Sequence, residues 1–299
     1  MNDYYANRPI RVGIVGAGKL GLSLAKLFNA SKQLVWVVER NDSRRRILKK
    51  NVQADVYASI NHVRQSADFI FITVGDPIIR NICKELCRKL GVKLKGKHII
   101  HCSGSKKVDL IESVRRVGAV PVAAHPFQSF YYPSERLFDG ISWGVEVSGD
   151  PDPVIKFLRT TGGFPVLLSE ETAANKALYH SSAVVSTNFV NMVLKLATKI
   201  ALKAGIKPEL FIPHIVRTTV YNHFKAYNRR DSMPLTGPFA RGDVETIETH
   251  LELLKDDPEL ERLYKVMADA TLDLSDASQY YDSMTFKEMK KLIASETKD

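Results

Sequence analysis

Ile10-Arg11-Val12-Gly13-Ile14-Val15-Gly16-Ala17-Gly18-Lys19-Leu20-Gly21 is the stretch that decides the fold. A short β-branched run leads into G-x-G-x-x-G, and Lys19 to Asn29 then reads as an amphipathic helix. The strand–turn–helix context gives each glycine a task. Gly16 permits the tight turn, Gly18 lets a pyrophosphate approach the backbone, and Gly21 lets helix and strand pack closely. The helix N-terminus, with Lys19 and Leu20 at its start, supplies amides for an anion.

Working outward, Leu34–Val38, Asp68–Val74, Lys97–His101, Ala119–Ala124 and Ile141–Val147 read as further strands, separated by helix-forming stretches. That alternation predicts βαβ units around a mainly parallel, doubly wound sheet. At Ser169 the pattern changes: a capping serine precedes Glu170 and Glu171, and neither proline nor glycine occurs until Gly205. The spacing predicts one helix of up to ~35 residues, roughly 52 Å long. Helices near 208–228, 243–256, 258–275 and 285–295 follow, with a Gly/Pro-rich loop over Asn228–Asp243. The predicted fold class is α/β: a Rossmann dinucleotide-binding domain over residues 1–168, then an all-α substrate and dimerisation domain over 169–299.

Composition narrows the function. The 43 basic against 33 acidic residues give a net charge of +10, but the basic residues are dispersed rather than interleaved with aromatics. An acidic run from Glu245 to Glu261 opposes them, so nucleic-acid binding is not expected. No apolar run reaches the ~18 residues of a membrane span, and the polar N-terminus carries no secretory pattern. The three cysteines, Cys83, Cys87 and Cys102, are too sparse for a disulfide framework or a zinc site. A cytoplasmic protein without a metal is expected.

The candidate cofactor residues continue along the carboxyl ends of the strands. Glu39 lies 23 residues after Gly16, where a carboxylate would accept hydrogen bonds from a free ribose hydroxyl. Arg40 and Arg44 follow, and guanidinium groups there suit a 2′-phosphate. The reading therefore leans to NADP and leaves NAD open. Val74 and Gly75 after one strand, and Ser103 after the next, fall where the nicotinamide end would lie. On the predicted long helix Lys176, His180, Thr187 and Asn191 share a ~60° sector, flanked by Asn188. A lysine at a desolvated cleft can give up a proton near neutrality, which carbonyl reduction by hydride requires. Lys176 and His180 are thus the candidate catalytic pair. Ser103, His125, Asn188, Asn191 and Arg241 are candidate contacts to a small-molecule substrate, Arg241 as a bidentate carboxylate holder.

VGIVGAGKLG (12–21), HCSGS (101–105), HPFQSF (125–130), KALYHSSAVVSTNF (176–189) and LTGPFARGDVETIETHL (235–251) resemble the family that joins a Rossmann-like domain to a C-terminal DUF2520 domain. The architecture is also similar to the 6-phosphogluconate dehydrogenase-like superfamily, which includes ketopantoate reductases. In those reductases a lysine on the first long C-terminal helix is the general acid, and Lys176 takes its place. His180 stands where the family has an asparagine. The resemblance implies NADPH, a homodimer formed through the helical domain, and reduction of a small 2-keto acid, with ketopantoate to pantoate in pantothenate and coenzyme A synthesis as the specific expectation. Another carbonyl or imine reductase, similar to pyrroline-5-carboxylate reductases, and a non-catalytic NAD(P) sensor are the alternatives.

Overall fold

A computed structural model describes residues 8–229, 234–274 and 281–294. The chain forms two compact units that divide between Thr187 and Asn188. The first is built on eight strands: β1 (Val12–Val15), β2 (Leu34–Val38), β3 (Asp55–Tyr57), β4 (Phe69–Ile72), β5 (His98–His101), β6 (Val120–Pro126), β7 (Ser142–Val147) and β8 (Phe164–Leu167). They lie in the order 3-2-1-4-5-6-7-8. All neighbours pair parallel except β6 and β7, which run antiparallel. The sequence predicts a mainly parallel sheet and does not predict β3 or β8; both are short edge strands with little apolar periodicity.

Helices α1 (Lys19–Ala30), α2 (Asp42–Asn51), α3 (Asp76–Leu90) and α4 (Asp152–Arg159) belong to this unit. Strand alternation divides the core. Val12, Ile14, Phe69 and Phe71 join Leu24, Phe28 and Phe157 in one cluster. Val15, Ile70 and Ile72 join Ile79, Cys83 and Leu86 in the other. Phe69 stacks on Phe157 with ring centroids 3.8 Å apart. Cys83 and Cys102 are buried as apolar filling, and burial pushes the Cys83 thiol up to about 12.

The predicted single helix after Ser169 is broken. It runs as α5 (Glu170–Ala174), α6 (Lys176–Val184), a π-helical turn (Val185–Phe189) and α7 (Val190–Lys203). Ser169 caps α5 through Thr172 N–H, 3.1 Å away. The break falls at Asn175, whose φ of −100° and ψ of 31° leave the helical region. Its side-chain amide donates to Glu171 O, a local bond that competes with helix continuation. The second unit holds α7, α8 (Pro208–Arg229), α9 (Pro238–Arg241), α10 (Val244–Leu254), α11 (Pro258–Leu274) and α12 (Ser283–Ala294). The loop expected over 228–243 therefore contains one turn of helix, α9; residues 230–233 lie outside the described residues. Ile247, Leu251, Ala268, Leu272, Met289 and Ile293 form this unit's main core. Among the described residues no helix is long and apolar enough to cross a membrane.

Candidate active site

The carboxyl ends of β1, β2 and β4 enclose a depression of about 270 Å³ lined by Gly16, Ala17, Gly18, Glu39, Arg40, Arg44, Thr73, Val74 and Gly75. Gly16 has φ +96°, which an L side chain rarely adopts. A Cβ at Gly21 would collide with Gly16 O and lie 2.6 Å from Thr73 Oγ1, so only glycine lets α1 approach the turn. A Cβ at Gly18 would meet none of the described residues within 4 Å. The first turn of α1 carries neither a side-chain cap nor an acidic residue. Open backbone facing a helix N-terminus fits a pyrophosphate. Lys19 is exposed, its ammonium 4.6 Å from the Tyr131 ring centroid, and Leu20 packs against the core below.

Glu39 behaves differently from its expected ribose role. It is buried, and its two carboxylate oxygens accept the Ala17 and Asn41 N–H groups at 2.7 and 2.8 Å. It ties the turn after β1 to the turn after β2, while Arg44 stands 3.8 Å off. Of the basic cluster, Arg45 and Arg46 turn away to Asp42, each at 2.6 Å. Arg40 and Arg44 remain on the depression's wall.

A second cluster forms beside the ends of β5, β6 and β7. Register carries one row across the sheet: Ile72 opposite His101, His101 opposite Ala123, and Ala123 opposite Glu146. The small Ala123 separates His101 from Glu146, and α6 lies over this row. Lys176 is 1% exposed and places Nζ 2.6 Å from Glu146 Oε1. Beyond that ion pair Nζ has no hydrogen-bond partner among the described residues. Glu146 Oε2 accepts the Val108 N–H at 3.1 Å. One turn along α6, Tyr179 Oη lies 3.0 Å from His125 Nδ1, and a Cβ at Gly144 would collide with that hydroxyl. His180 lies edge-on to His125, ring centroids 5.6 Å apart. A Cβ at Gly104 would collide with His180 Nδ1 and lie 2.9 Å from His125 Nε2. The two glycines thus make room for the two aromatic residues of α6.

Burial sets the electrostatics. It pushes the Lys176 ammonium down from its ordinary value, and Glu146 and then Asp109 pull it back only in part. His101 is lowered to about 4, by burial first and the Lys176 charge second. His125 is lowered to about 4 by burial and the neighbouring His180 and Lys176. Burial raises the Tyr179 phenol to about 12. The cluster therefore sets Lys176 against Glu146 out of water, with His101 and His125 uncharged at neutral pH.

Other expected residues take different positions. Ser103 is buried, but its hydroxyl donates to Asp76 Oδ2 at 2.7 Å and accepts the Lys106 N–H, so its proton is already engaged. Asp76, at the start of α3, braces the turn after β5 against the turn after β4. The stripe from Lys176 to Asn191 does not persist. The π turn inserts a residue between them, so 100° per residue no longer relates Lys176 and His180 to Thr187 and Asn191. Asn188, Asn191 and Arg241 belong to the second unit and are exposed; Arg241 ends α9, 3.5 Å from Asp243 Oδ2. Glu146, Tyr179, Asp76 and His101 escaped the sequence reading. Glu146 carried a signal, a lone carboxylate inside an apolar strand.

Two family models match the chain: a Rossmann-like domain over residues 2–126 and a domain of unknown function, DUF2520, over residues 152–271. No curated protein matches it. Among solved structures, a Bacteroides fragilis protein provisionally assigned as an NADP oxidoreductase is 24% identical, with TM-score 0.70, covering 88% of this chain and 97% of that one. An imine reductase from Myxococcus stipitatus in complex with NADP+ is 17% identical, with TM-score 0.61, covering 93% and 99%. A reductive aminase from Aspergillus terreus in complex with NADPH and ethyl levulinate is 13% identical, with TM-score 0.61, covering 92% and 100%. At these identities the likeness is one of fold.

Proposed function

We propose that this chain, which joins a Rossmann-like domain to a DUF2520 domain, is an NADPH-dependent oxidoreductase that reduces a small 2-keto acid, with ketopantoate to pantoate as the specific reaction. The observation that carries the reading is a buried lysine on α6 whose single carboxylate partner stands on the sheet whose glycine turn fits a dinucleotide. The turn from Gly16 to Gly18 and the α1 amides would hold the pyrophosphate, Arg40 and Arg44 the 2′-phosphate, and Val74 and Gly75 the nicotinamide end. NAD in place of NADP is the alternative at that site. A bound NADPH supplies the hydride for the carbonyl carbon. As the C=O electron pair moves to oxygen, Lys176 Nζ gives that oxygen a proton and is left as a neutral amine to be recharged from solvent. His180 would orient the substrate.

Imine reduction is the second reading. Lys176 is the only buried cation among the described residues and is already paired, which favours a substrate less anionic than a keto acid. The folds of the imine reductase and the reductive aminase support it. A homodimer through the helical domain also belongs to the proposal. No residue of α8 is buried, and Phe211, Ile215, Tyr221, Phe224 and Tyr227 are all more than half exposed. A second copy would cover that face.

The test is NADPH or NADH oxidation with ketopantoate, a panel of other 2-keto acids and cyclic imines. Lys176→Ala is run alone and with Glu146→Gln, which removes the stranded carboxylate. A loss of kcat of about 100-fold or more, with NADPH binding kept, is expected for both variants. Wild-type turnover in either would sink the assignment of Lys176.

A further inference from the structure

We infer that Glu146 is the positioning residue of this site, aiming Lys176 Nζ through a direct buried ion pair. The inference rests on Lys176 being the proton donor proposed above, and it extends that reading to a residue with no sequence motif of its own. Glu146 sits in a strand whose other residues are Ser142, Trp143, Gly144, Val145 and Val147, and only 8% of its side chain is exposed. A carboxylate desolvated to that degree is costly unless it is paired. Its two oxygens do different work. Oε2 accepts the Val108 N–H at the start of the 3₁₀ segment Val108–Val117, which fixes the carboxylate plane. Oε1 is left facing Lys176 at 2.6 Å. Ala123, directly opposite in register, leaves the lateral space that a larger side chain would fill.

The other titratable groups around the lysine cannot replace Glu146. His101 on β5 and His125 on β6 are neutral at pH 7, and Tyr179 on α6 keeps its phenolic proton. His180 shares α6 with the lysine and is no carboxylate. Asp76 on α3 accepts the Ser103 and Ser105 hydroxyls. Asp109, in the 3₁₀ segment, exerts a smaller pull on Lys176 than Glu146 does. Glu146 thus supplies the direct charge contact that holds the proton on Nζ.

The experiment titrates the full-length chain, labelled with ¹³Cε-lysine, by NMR in the wild type, Glu146→Gln and Glu146→Asp, with Lys176→Met assigning the signal. Glutamine keeps an oxygen for the Val108 N–H and replaces the charged acceptor facing Lys176 with a neutral NH2. The Lys176 midpoint is expected to fall by about one pH unit or more in Glu146→Gln and to stay nearer the wild type in Glu146→Asp. The basic limb of the kcat/KM profile should move down by the same amount, with KM for NADPH changed less than about twofold. An unchanged midpoint in folded Glu146→Gln overturns the inference, as does a lowered melting temperature with no change in either profile. If Glu146→Gln does not fold, an unchanged midpoint in Glu146→Asp overturns it equally. A shifted midpoint in a protein that reduces none of the substrates supports Glu146's control of the lysine and overturns the reductive reading instead.

Discussion

Lys176 and Glu146 share an ion pair from which water is almost excluded, and His98 and His101 are likewise buried on β5. Burial lowers His98, His101 and His125 each to about 4. The unfolded chain takes up protons on these imidazoles from about pH 6.5 downward. Between about 6.5 and 4 the unfolded state therefore binds more protons, and stability falls as pH drops. The fully buried His98 and His101 account for on the order of 3 kcal/mol each. Asp68 adds loss at lower pH. Burial pushes its carboxyl up, but hydrogen bonds from Arg8, Lys97 and the Arg11 N–H hold it below its ordinary value. Urea midpoints measured at pH 7 and pH 5 should differ clearly, with pH 5 weaker; equal midpoints would contradict the buried, neutral imidazoles.

Elements decide cofactor choice. Helix α2 begins at Asn41, whose side chain accepts the Arg44 N–H at 3.0 Å, and Asp42 in its first turn draws Arg45 and Arg46 aside. Arg40 and Arg44 stay on the wall of the depression because they lack that partner and Glu39 is held by backbone amides. The double variant Arg40→Ala/Arg44→Ala should raise KM for NADPH about tenfold or more and leave KM for NADH nearly unchanged, because charge-assisted hydrogen bonds to a phosphate are lost. Steady-state kinetics with both cofactors reads this, and an equal rise for both would assign the arginines a general role.

On the scale of the whole molecule, α8 is the outstanding feature. It is a helix of 22 residues with no buried residue and several large apolar side chains exposed, the face that the proposed dimer would cover. Light scattering after size exclusion should give twice the chain mass of 33.5 kDa. Ile215→Glu/Phe224→Glu should shift the protein toward the single-chain mass. A monomeric wild type at micromolar concentration would remove the dimer from the proposal.

Local chemistry made the first half of the fold legible. The apolar run Val12–Val15, the glycines at 16, 18 and 21 and the helix opening at Lys19 follow from short-range sterics, and a depression lies around that turn. Lys176 and His180 could be singled out because one turn of helix relates them. The remainder depended on contacts between residues distant in sequence. Glu146 meets Lys176, and His125 meets His180 and Tyr179, because strand register and the crossing of α6 bring them together. Periodicity carries no record of either. The π turn likewise came from the folded chain, since nothing in a proline- and glycine-free run marks where a helix admits an extra residue. The sequence by itself determined the strand–turn–helix frame and its open glycine turn; only tertiary structure decided which buried carboxylate holds the lysine, because a buried charge is stable only where packing delivers its partner.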